Sequence, residues 1–455
     1  MKAYALRHMP SKEADPRSVP IVRPFRLALL GLAGASIEWY DFFIYATAAA
    51  LVFPTVFFPP QLPPLVALIA SYSTFAVGFV ARPLGALLFG YVGDRIGRKG
   101  ALAGALVLMG TATTLIGILP SYGSAGALAP LALVILRLLQ GLAIGGQWGG
   151  SILLATESAP PSRRGLYGSI TQAGVPVGVV LANLAFFAAN AATSPAAFIA
   201  YGWRLPFLLS ILLVGFGIFI HYRVREPGAF RPPQPGTRHS PLLEALRRHP
   251  RAILLAAGAY LSTILNFYIL ITYVVSYGTS VQGLRLPRST LLAAVLIANV
   301  AMIPITFLAG DLSDRFGRRR LLMIGVALAG VWAFALFPLL DSRAFPLITV
   351  AILVGGCLGT LTSGPVAALF AELFSAQVRC SAVSLAYQTG AIAGGGFAPI
   401  IATALFARYH SNLPVSLYVA GACAVSLVCA HHLGGVHSPN LESAPVPSVD
   451  AALSS

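Results

Sequence analysis

Two carboxylates three residues apart inside an apolar run are the first side chains in this sequence that could do chemistry. Glu38 and Asp41, in Ile37-Glu38-Trp39-Tyr40-Asp41-Phe42-Phe43, are the only charged residues between Arg26 and Arg82. On a helix a spacing of three puts them on one face, which Phe42 and Tyr45 continue. Charges at bilayer depth are costly and by default functional. Two carboxyl groups close together in a low dielectric resist ionising together, so at least one should hold a proton it can exchange. Asp41 lies deeper and is the stronger candidate. Arg82 and Arg137, each the one charge within its own apolar run, are the natural partners. A guanidinium can grip a carboxylate through two parallel hydrogen bonds. That carboxylate is either a bound anion or Glu38 or Asp41 itself, and Arg82 could instead seat a kink at Pro83.

These residues need apolar elements to hold them at depth. Of 455 residues, 57% are hydrophobic and 10% charged, against roughly 25% charged in soluble domains. A water-soluble core cannot absorb so much apolar sequence, whereas about a dozen spans of ~20 residues can. The apolar runs predict twelve helices at 27–58, 65–93, 100–119, 129–156, 166–190, 203–222, 252–279, 289–310, 320–340, 346–371, 381–407 and 413–432. Five regions follow: an N-terminal tail (1–24), a six-helix bundle (25–222), a basic Pro-rich linker (223–251), a second six-helix bundle (252–432) and a Ser/Pro/Ala-rich tail (433–455). Pro241 to His249 could form a short surface helix. Residues 1–24 lack an apolar signal-peptide core.

The net charge of +16 invites a nucleic-acid reading, but its placement speaks for topology. Alternate loops and the N-terminus hold 23 of the 30 Lys and Arg, the opposite loops only five. By the positive-inside rule the termini and the basic loops face the cytoplasm. Cys357, Cys380, Cys423 and Cys429 have no metal-ligand spacing and read as small packing residues. No Gly-Lys-Ser/Thr phosphate loop occurs, so direct ATP drive is not expected; the expected energy source is the proton gradient, with no cofactor and no metal.

A basic signature is written twice, 220 residues apart: Gly93-Asp94-Arg95-Ile96-Gly97-Arg98-Lys99 and Ser313-Asp314-Arg315-Phe316-Gly317-Arg318-Arg319. Glu157 and Arg164 are echoed by Glu372 and Arg379 at an offset of 215, and Gln172-Ala173-Gly174 by Gln388-Thr389-Gly390 at 216. Three ordered matches at half-chain spacing indicate duplication. The carboxylate of Asp94 could accept hydrogen bonds from a helix N-terminus of the other half. Arg95, Arg98 and Lys99 could meet Glu157, Glu372 or anionic lipid heads. Contacts made in only one orientation would act as a latch.

The signature resembles that of the major facilitator superfamily, Gly90 to Lys99 and Gly310 to Arg319 fitting its G-x-x-x-D-R-x-G-R-[KR] loop. Within it, Ile37-Glu38-Trp39-Tyr40-Asp41-Phe42-Phe43, Arg137-Leu138-Leu139-Gln140-Gly141 running into Gly145-Gly146-Gln147-Trp148-Gly149-Gly150, and Gly202-Trp203-Arg204-Leu205-Pro206-Phe207 look like the metabolite:proton symporter family. The resemblance implies an all-α membrane protein of twelve helices in two pseudo-symmetric bundles, not an enzyme. It implies alternating access in the inner membrane, moving a small organic acid with protons and driven by the proton gradient, in a chain that works as a monomer. A zwitterionic osmolyte as substrate, and efflux by antiport, remain the rival readings.

In that reading Asp41 and Glu38 couple protons, while Arg137, Arg82, Gln147, Tyr45, Asn266, Tyr387 and Gln388 line the substrate site. The latch comprises Gly93, Asp94, Arg95, Gly97 and Arg98, their counterparts Asp314, Arg315, Gly317 and Arg318, and the pairs Glu157–Arg164 and Glu372–Arg379. Gln147 stands where the family usually has an acid, which leaves more weight on Glu38 and Asp41. The second half has no charge at midplane, only polar and aromatic candidates such as Asn266, Tyr268, Tyr273, Asn299, Tyr387 and Gln388.

Overall fold

A hydrocarbon core offers the backbone no hydrogen bonds, so a spanning segment must satisfy its own, as a helix does. In the computed structural model, which describes residues 24–96, 98–145, 156, 159–212, 214, 215, 247, 249–374 and 379–434, every regular element is helical. Among the described residues, and apart from short helical turns, a helix corresponds to each of the twelve expected runs: α1 (Pro24–Leu51), α2 (Pro64–Ile96), α3 (Arg98–Ile118), α4 (Leu128–Gly145), α5 (Arg164–Ala192), α6 (Arg204–Leu209), α7 (Pro250–Thr279), α8 (Arg288–Phe316), α9 (Arg318–Asp341), α10 (Phe345–Leu373), α11 (Ser381–Tyr409) and α12 (Leu413–Leu433). Among the described residues nine of these, α2, α4, α5 and α7 to α12, are long and apolar enough to cross a bilayer. Large apolar side chains such as Leu84, Leu128, Val331 and Val428 point outward from them. Residues 1–23 and 435–455, and nearly all of the 223–251 linker, including the expected surface helix except for Arg247 and His249, lie outside the described residues.

The duplication written in the sequence reappears in the packing. α2 packs on α4, α1 on α5, and α3 on α4 and α6; adding six to each number gives α8 on α10, α7 on α11, and α9 on α10 and α12, which are also observed. The halves meet along α5 with α8 and α2 with α11, and α1 touches α7.

Small residues set the closest approaches, as expected where no solvent drives helices together. A Cβ on Gly141 would stand 2.2 Å from the Gly78 carbonyl oxygen, and one on Gly145 1.9 Å from that of Arg82. This is why glycine recurs every four residues along α4. The repeated Gln-x-Gly triplet has the same explanation: Gly174 abuts Ala35 of α1, and its counterpart Gly390 abuts the Ala257 carbonyl of α7.

Three expectations are corrected. The first run does not stay helical to residue 58; α1 ends at Leu51 and a short helix, Phe53–Val56, restarts with Pro54 in its first turn, where a missing N–H costs least. α5 is broken at Ala173. The second signature is almost entirely helix: α8 runs to Phe316 and α9 begins at Arg318, leaving Gly317 alone as the turn. Its φ of +91° is accessible to glycine at little cost. Helical continuation places Asp311 one turn from Arg315, and the turn at Gly317 brings Arg318, at the start of α9, back to Asp314, so the acids and bases pair locally.

Gly145→Ala should lower the thermal unfolding midpoint of the detergent-purified protein, overpacking of this kind costing about 1–3 kcal/mol. Gly421→Ala, whose new Cβ meets nothing within 4 Å, should equal or exceed the parent. Equal midpoints for both variants would refute close packing of α2 on α4.

Candidate functional site

α1 carries its two carboxylates into the interior of the first bundle. Asp41 is fully buried and Glu38 nearly so, with Arg82 and Arg137 each 1% exposed. Their compensation is indirect, because among the described residues neither acid forms an ion pair with either arginine. Asp41 Oδ2 accepts from Thr113 Oγ1 of α3 at 2.9 Å, and Oδ1 accepts from Ser210 Oγ at the end of α6. Thr113 in turn accepts from Gln140 Nε2 at 2.7 Å, and Gln140 Oε1 accepts from Arg137 Nη1 at 3.0 Å. Arg137 and Gln140, three apart on α4, thus reach Asp41 through one hydroxyl. Glu38 lies in the field of Arg82.

Aromatic faces carry the rest of the cationic charge. The Arg137 guanidinium sits 4.5 Å from the Phe42 ring centre, 4.1 Å from Tyr45 and 4.8 Å from Phe75; Arg82 lies 4.6 Å from Phe42 and 4.2 Å from Phe79. Phe42, next to the proton candidate, is therefore shared by both cations. Such contacts are worth about 2 kcal/mol when desolvated. The approach needs Gly78, where a Cβ would lie 2.5 Å from Arg137 Nε. Nε and Nη2 of both arginines have no hydrogen-bond partner. Buried donors are seldom left so, and a carboxylate is one group whose oxygens could accept from them.

A cavity between the halves lies beside this cluster. Trp39, Gln172 and Val175 line it from the first half, and Tyr260, Thr263, Asn266, Phe267, Tyr268, Thr360 and Tyr387 from the second. Tyr268 belongs to both places: it turns its phenol toward Arg82 and packs on Phe42, Phe75 and Phe79. It stands between the cavity and the arginines. π-Helical turns in α7 (Ile269–Tyr273) and α11 (Ile392–Gly396) flank it, and Gly395 of the latter abuts both Tyr268 and Phe79. Irregular turns of this kind often mark functional sites.

The structure brings some expected site residues together and separates others. Asn266 and Tyr387 are cavity walls, Asn266 also donating to the Gly355 carbonyl at 3.2 Å. Tyr45 lies behind Arg137, its hydroxyl 2.7 Å from Thr74 Oγ1. Gln388 is buried off the cavity with both amide atoms unbonded. Neither Arg82 nor Arg137 is in the cavity wall: Arg82 lies behind Tyr268, and Arg137 behind Phe42 and Phe75, on which Tyr268 packs. Gln147 is outside the described residues. Sequence reasoning passed over Thr113 and Ser210, which carry no charge and no spacing signal. Gln140 was legible, three residues after Arg137.

At the signature end of the helices, Asp314 bonds across the halves. Its Oδ1 accepts from the Gly165 N–H at 2.9 Å and its Oδ2 from that of Leu166 at 3.0 Å, at the first turn of α5 where the helix dipole favours an anion. Arg318 bridges Asp314 to Glu372, Arg315 pairs with Asp311 at the surface, and Arg379 Nε donates to the Phe374 carbonyl at 3.0 Å. Arg164 begins α5, its Nε buried without a partner. Gly93 is helical, while the side chains of Asp94, Arg95 and Arg98, together with Gly97 and Glu157, lie outside the described residues. At the opposite end Arg204 donates to the Gly117 and Leu119 carbonyls at the end of α3, at 2.9 and 2.6 Å. Tyr72 donates to the Thr272 carbonyl across the halves at 3.2 Å.

Comparison with known proteins points the same way. Residues 42–399, and in a second match 300–445, fit the family model described as Major Facilitator Superfamily. The chain is 40% identical over 414 residues to the inner membrane metabolite transport protein YhjE of Escherichia coli, covering 90% of this chain and 94% of that one. It is 37% identical to the shikimate transporter of the same organism, covering 92% and 97%. The fold resembles that of the proton:xylose symporter XylE bound to 6-bromo-6-deoxy-D-glucose, with a TM-score of 0.70 at 17% identity, over 90% of this chain and 95% of that one. With two like bundles, buried acids and bases, and a cavity between the halves, the chain belongs to the major facilitator superfamily, as a transporter of its metabolite:proton symporter branch.

Proposed function

We propose that this protein carries a small organic anion inward together with protons, using the proton gradient and no cofactor. The observation that carries the reading is the pair of buried guanidiniums, Arg82 and Arg137, with four unpartnered N–H-bearing nitrogens behind the aromatic side chains that back the cavity. A carboxylate is the ligand that suits such a fork. Asp41, tied to Arg137 through Gln140 and Thr113, is the proton carrier, and Glu38 beside Arg82 assists it. Tyr268 is the movable partition whose rotation admits the anion. Similarity to a shikimate transporter supports a hydroxylated carboxylic acid, which the hydroxyls of Tyr260, Thr263, Thr360 and Tyr387 would suit. The signature ends face the cytoplasm of an inner membrane, and the single chain contains the whole site.

A zwitterionic osmolyte is the second reading. It is favoured by the aromatic wall of Trp39, Tyr260, Phe267, Tyr268 and Tyr387, since ring faces attract quaternary ammonium groups.

In proteoliposomes with an imposed pH gradient, labelled shikimate should accumulate in the alkaline lumen; accumulation in the acidic compartment would make the protein an antiporter. Asp41→Asn should abolish gradient-driven accumulation, and unchanged accumulation would remove Asp41 from coupling. Arg137→Lys should weaken carboxylate binding about 10-fold or more, by loss of roughly 1.4 kcal/mol, and spare neutral analogues. Equal losses would make Arg137 structural, and thermal stabilisation by betaine but by no carboxylate would favour the osmolyte.

The contact of Asp314 with the start of α5 closes the signature end in one orientation only. Asp314→Ala removes two charge-assisted bonds of about 1.5–3 kcal/mol each, so distances between spin labels on the signature ends of α5 and α8 should lengthen. An unchanged distance distribution would remove Asp314 from the latch.

A further inference from the structure

Thr113 has one hydroxyl proton and two acceptors for it. Its Oγ1 lies 2.9 Å from Asp41 Oδ2 and 2.8 Å from the Met109 carbonyl oxygen one turn back on α3. The same oxygen accepts from Gln140 Nε2. The orientation of Gln140 follows from chemistry: a guanidinium only donates, so the amide must turn its oxygen to Arg137 and its nitrogen to Thr113. With Asp41 ionised, every donor in the series Arg137, Gln140, Thr113 points toward the carboxylate, and each bond polarises the next. With the proton on Asp41 Oδ2, the carboxyl donates to Thr113, and Thr113 must send its own proton to Met109. Two donors then converge on Thr113, and the polarised chain from Arg137 to Asp41 is broken.

We propose that Thr113 and Gln140 are positioning residues that transmit the protonation state of Asp41 to Arg137, the threonine hydroxyl acting as a reversible switch between the two. Protonation releases Arg137 from its indirect hold on Asp41 and leaves its charge for an anion; deprotonation restores the hold and expels the anion. Proton and anion binding are then positively coupled, and by linkage each strengthens the other by the same factor. The inference rests on Asp41 as the proton carrier.

The groups around Asp41 permit this assignment. Its own helix contributes Glu38, Tyr40 and Tyr45. Tyr40 donates to the Pro206 carbonyl, and Tyr45 is bonded to Thr74. α2 contributes Arg82, α4 Arg137 and α7 Tyr268, all grouped about Phe42. α5 has no titratable side chain from Gly174 to Ala192. Among the described residues α3 and the end of α6 give Asp41 the Thr113 and Ser210 hydroxyls, and Arg204 is bound to the carbonyls at the end of α3.

The test follows the carbonyl stretch of the protonated carboxyl by infrared difference spectroscopy on the full-length protein in lipid, titrated with pH and with no substrate present. Asp41→Asn should delete the band and Glu38→Gln should keep it. Thr113→Val should make the band persist to a pH about one unit higher, a tenfold change in proton affinity, and Thr113→Ser should restore the parent titration. Gln140→Leu, which does not touch Asp41, should shift the band in the same direction by less. The double variant should titrate like Thr113→Val alone, since Gln140 acts through Thr113. Gln140→Met and Thr113→Ala serve where a first choice fails to fold. A parent-like titration in Gln140→Leu, or additive shifts in the double variant, overturns the relay while leaving Asp41 as the carrier. A band unaffected by Asp41→Asn overturns the carrier assignment and the relay with it.

Discussion

Placing four ionisable groups in the interior of one six-helix bundle is the constraint on which the rest of this structure depends. An isolated charge moved from water into an apolar interior costs many kcal/mol unless it is paired, bonded or neutralised. Two acids and two bases within a few helical turns answer that demand as a set. Among the described residues neither Glu38 nor Asp41 pairs directly with Arg82 or Arg137. Charge is instead spread over hydroxyls, an amide and aromatic faces. A direct buried ion pair would be hard to break in each transport cycle, because separating it strands both ions. A network of neutral intermediaries holds the same charges while leaving each open to a new partner.

That choice propagates into the scaffold. The guanidiniums come to rest on Phe42, Phe75 and Phe79 because Gly78 gives Arg137 room, and because α2 and α4 approach through Gly78, Gly141 and Gly145. The end of α6 delivers Ser210 to Asp41. The Trp203-Arg204 segment that leads into α6 is anchored by aromatic packing on Phe53 and Phe57 and by bonds to the end of α3. Thr113 lies on that same α3, so the residues that pin one end of the helix also fix its switch hydroxyl relative to Asp41.

The halves divide the labour. Among the described residues the first holds the buried charges Glu38, Asp41, Arg82 and Arg137, and the second supplies Tyr268 and most of the cavity wall. At the signature end the second half contributes the carboxylate, Asp314, and the first half the helix terminus that receives it. A bond between a side chain and backbone N–H groups of another rigid body forms only when the bodies are correctly placed, as a latch requires.

Much of this was written in the sequence. Apolar run lengths determined the helices, because hydrocarbon forces each spanning segment to satisfy its own backbone. Repeats at offsets of 215 to 220 determined two like halves, and isolated charges in apolar runs marked Glu38, Asp41, Arg82 and Arg137. Glycines every four residues along α4 foretold its closeness to a neighbour. The sequence did not determine which neighbours those residues have. Thr113 and Ser210 carry no charge, and a hydroxyl's role depends on what the packing sets within 3 Å of it. Tyr268 is one tyrosine among many until α7 places it between the arginines and the cavity. Even the signature, which reads as a loop, proved to be two helix ends joined at Gly317, because one positive φ suffices for the turn. Periodicity and cost of burial are local and survive in the linear chain; partner choice is a property of helices brought together from distant positions, and only the tertiary structure decided it.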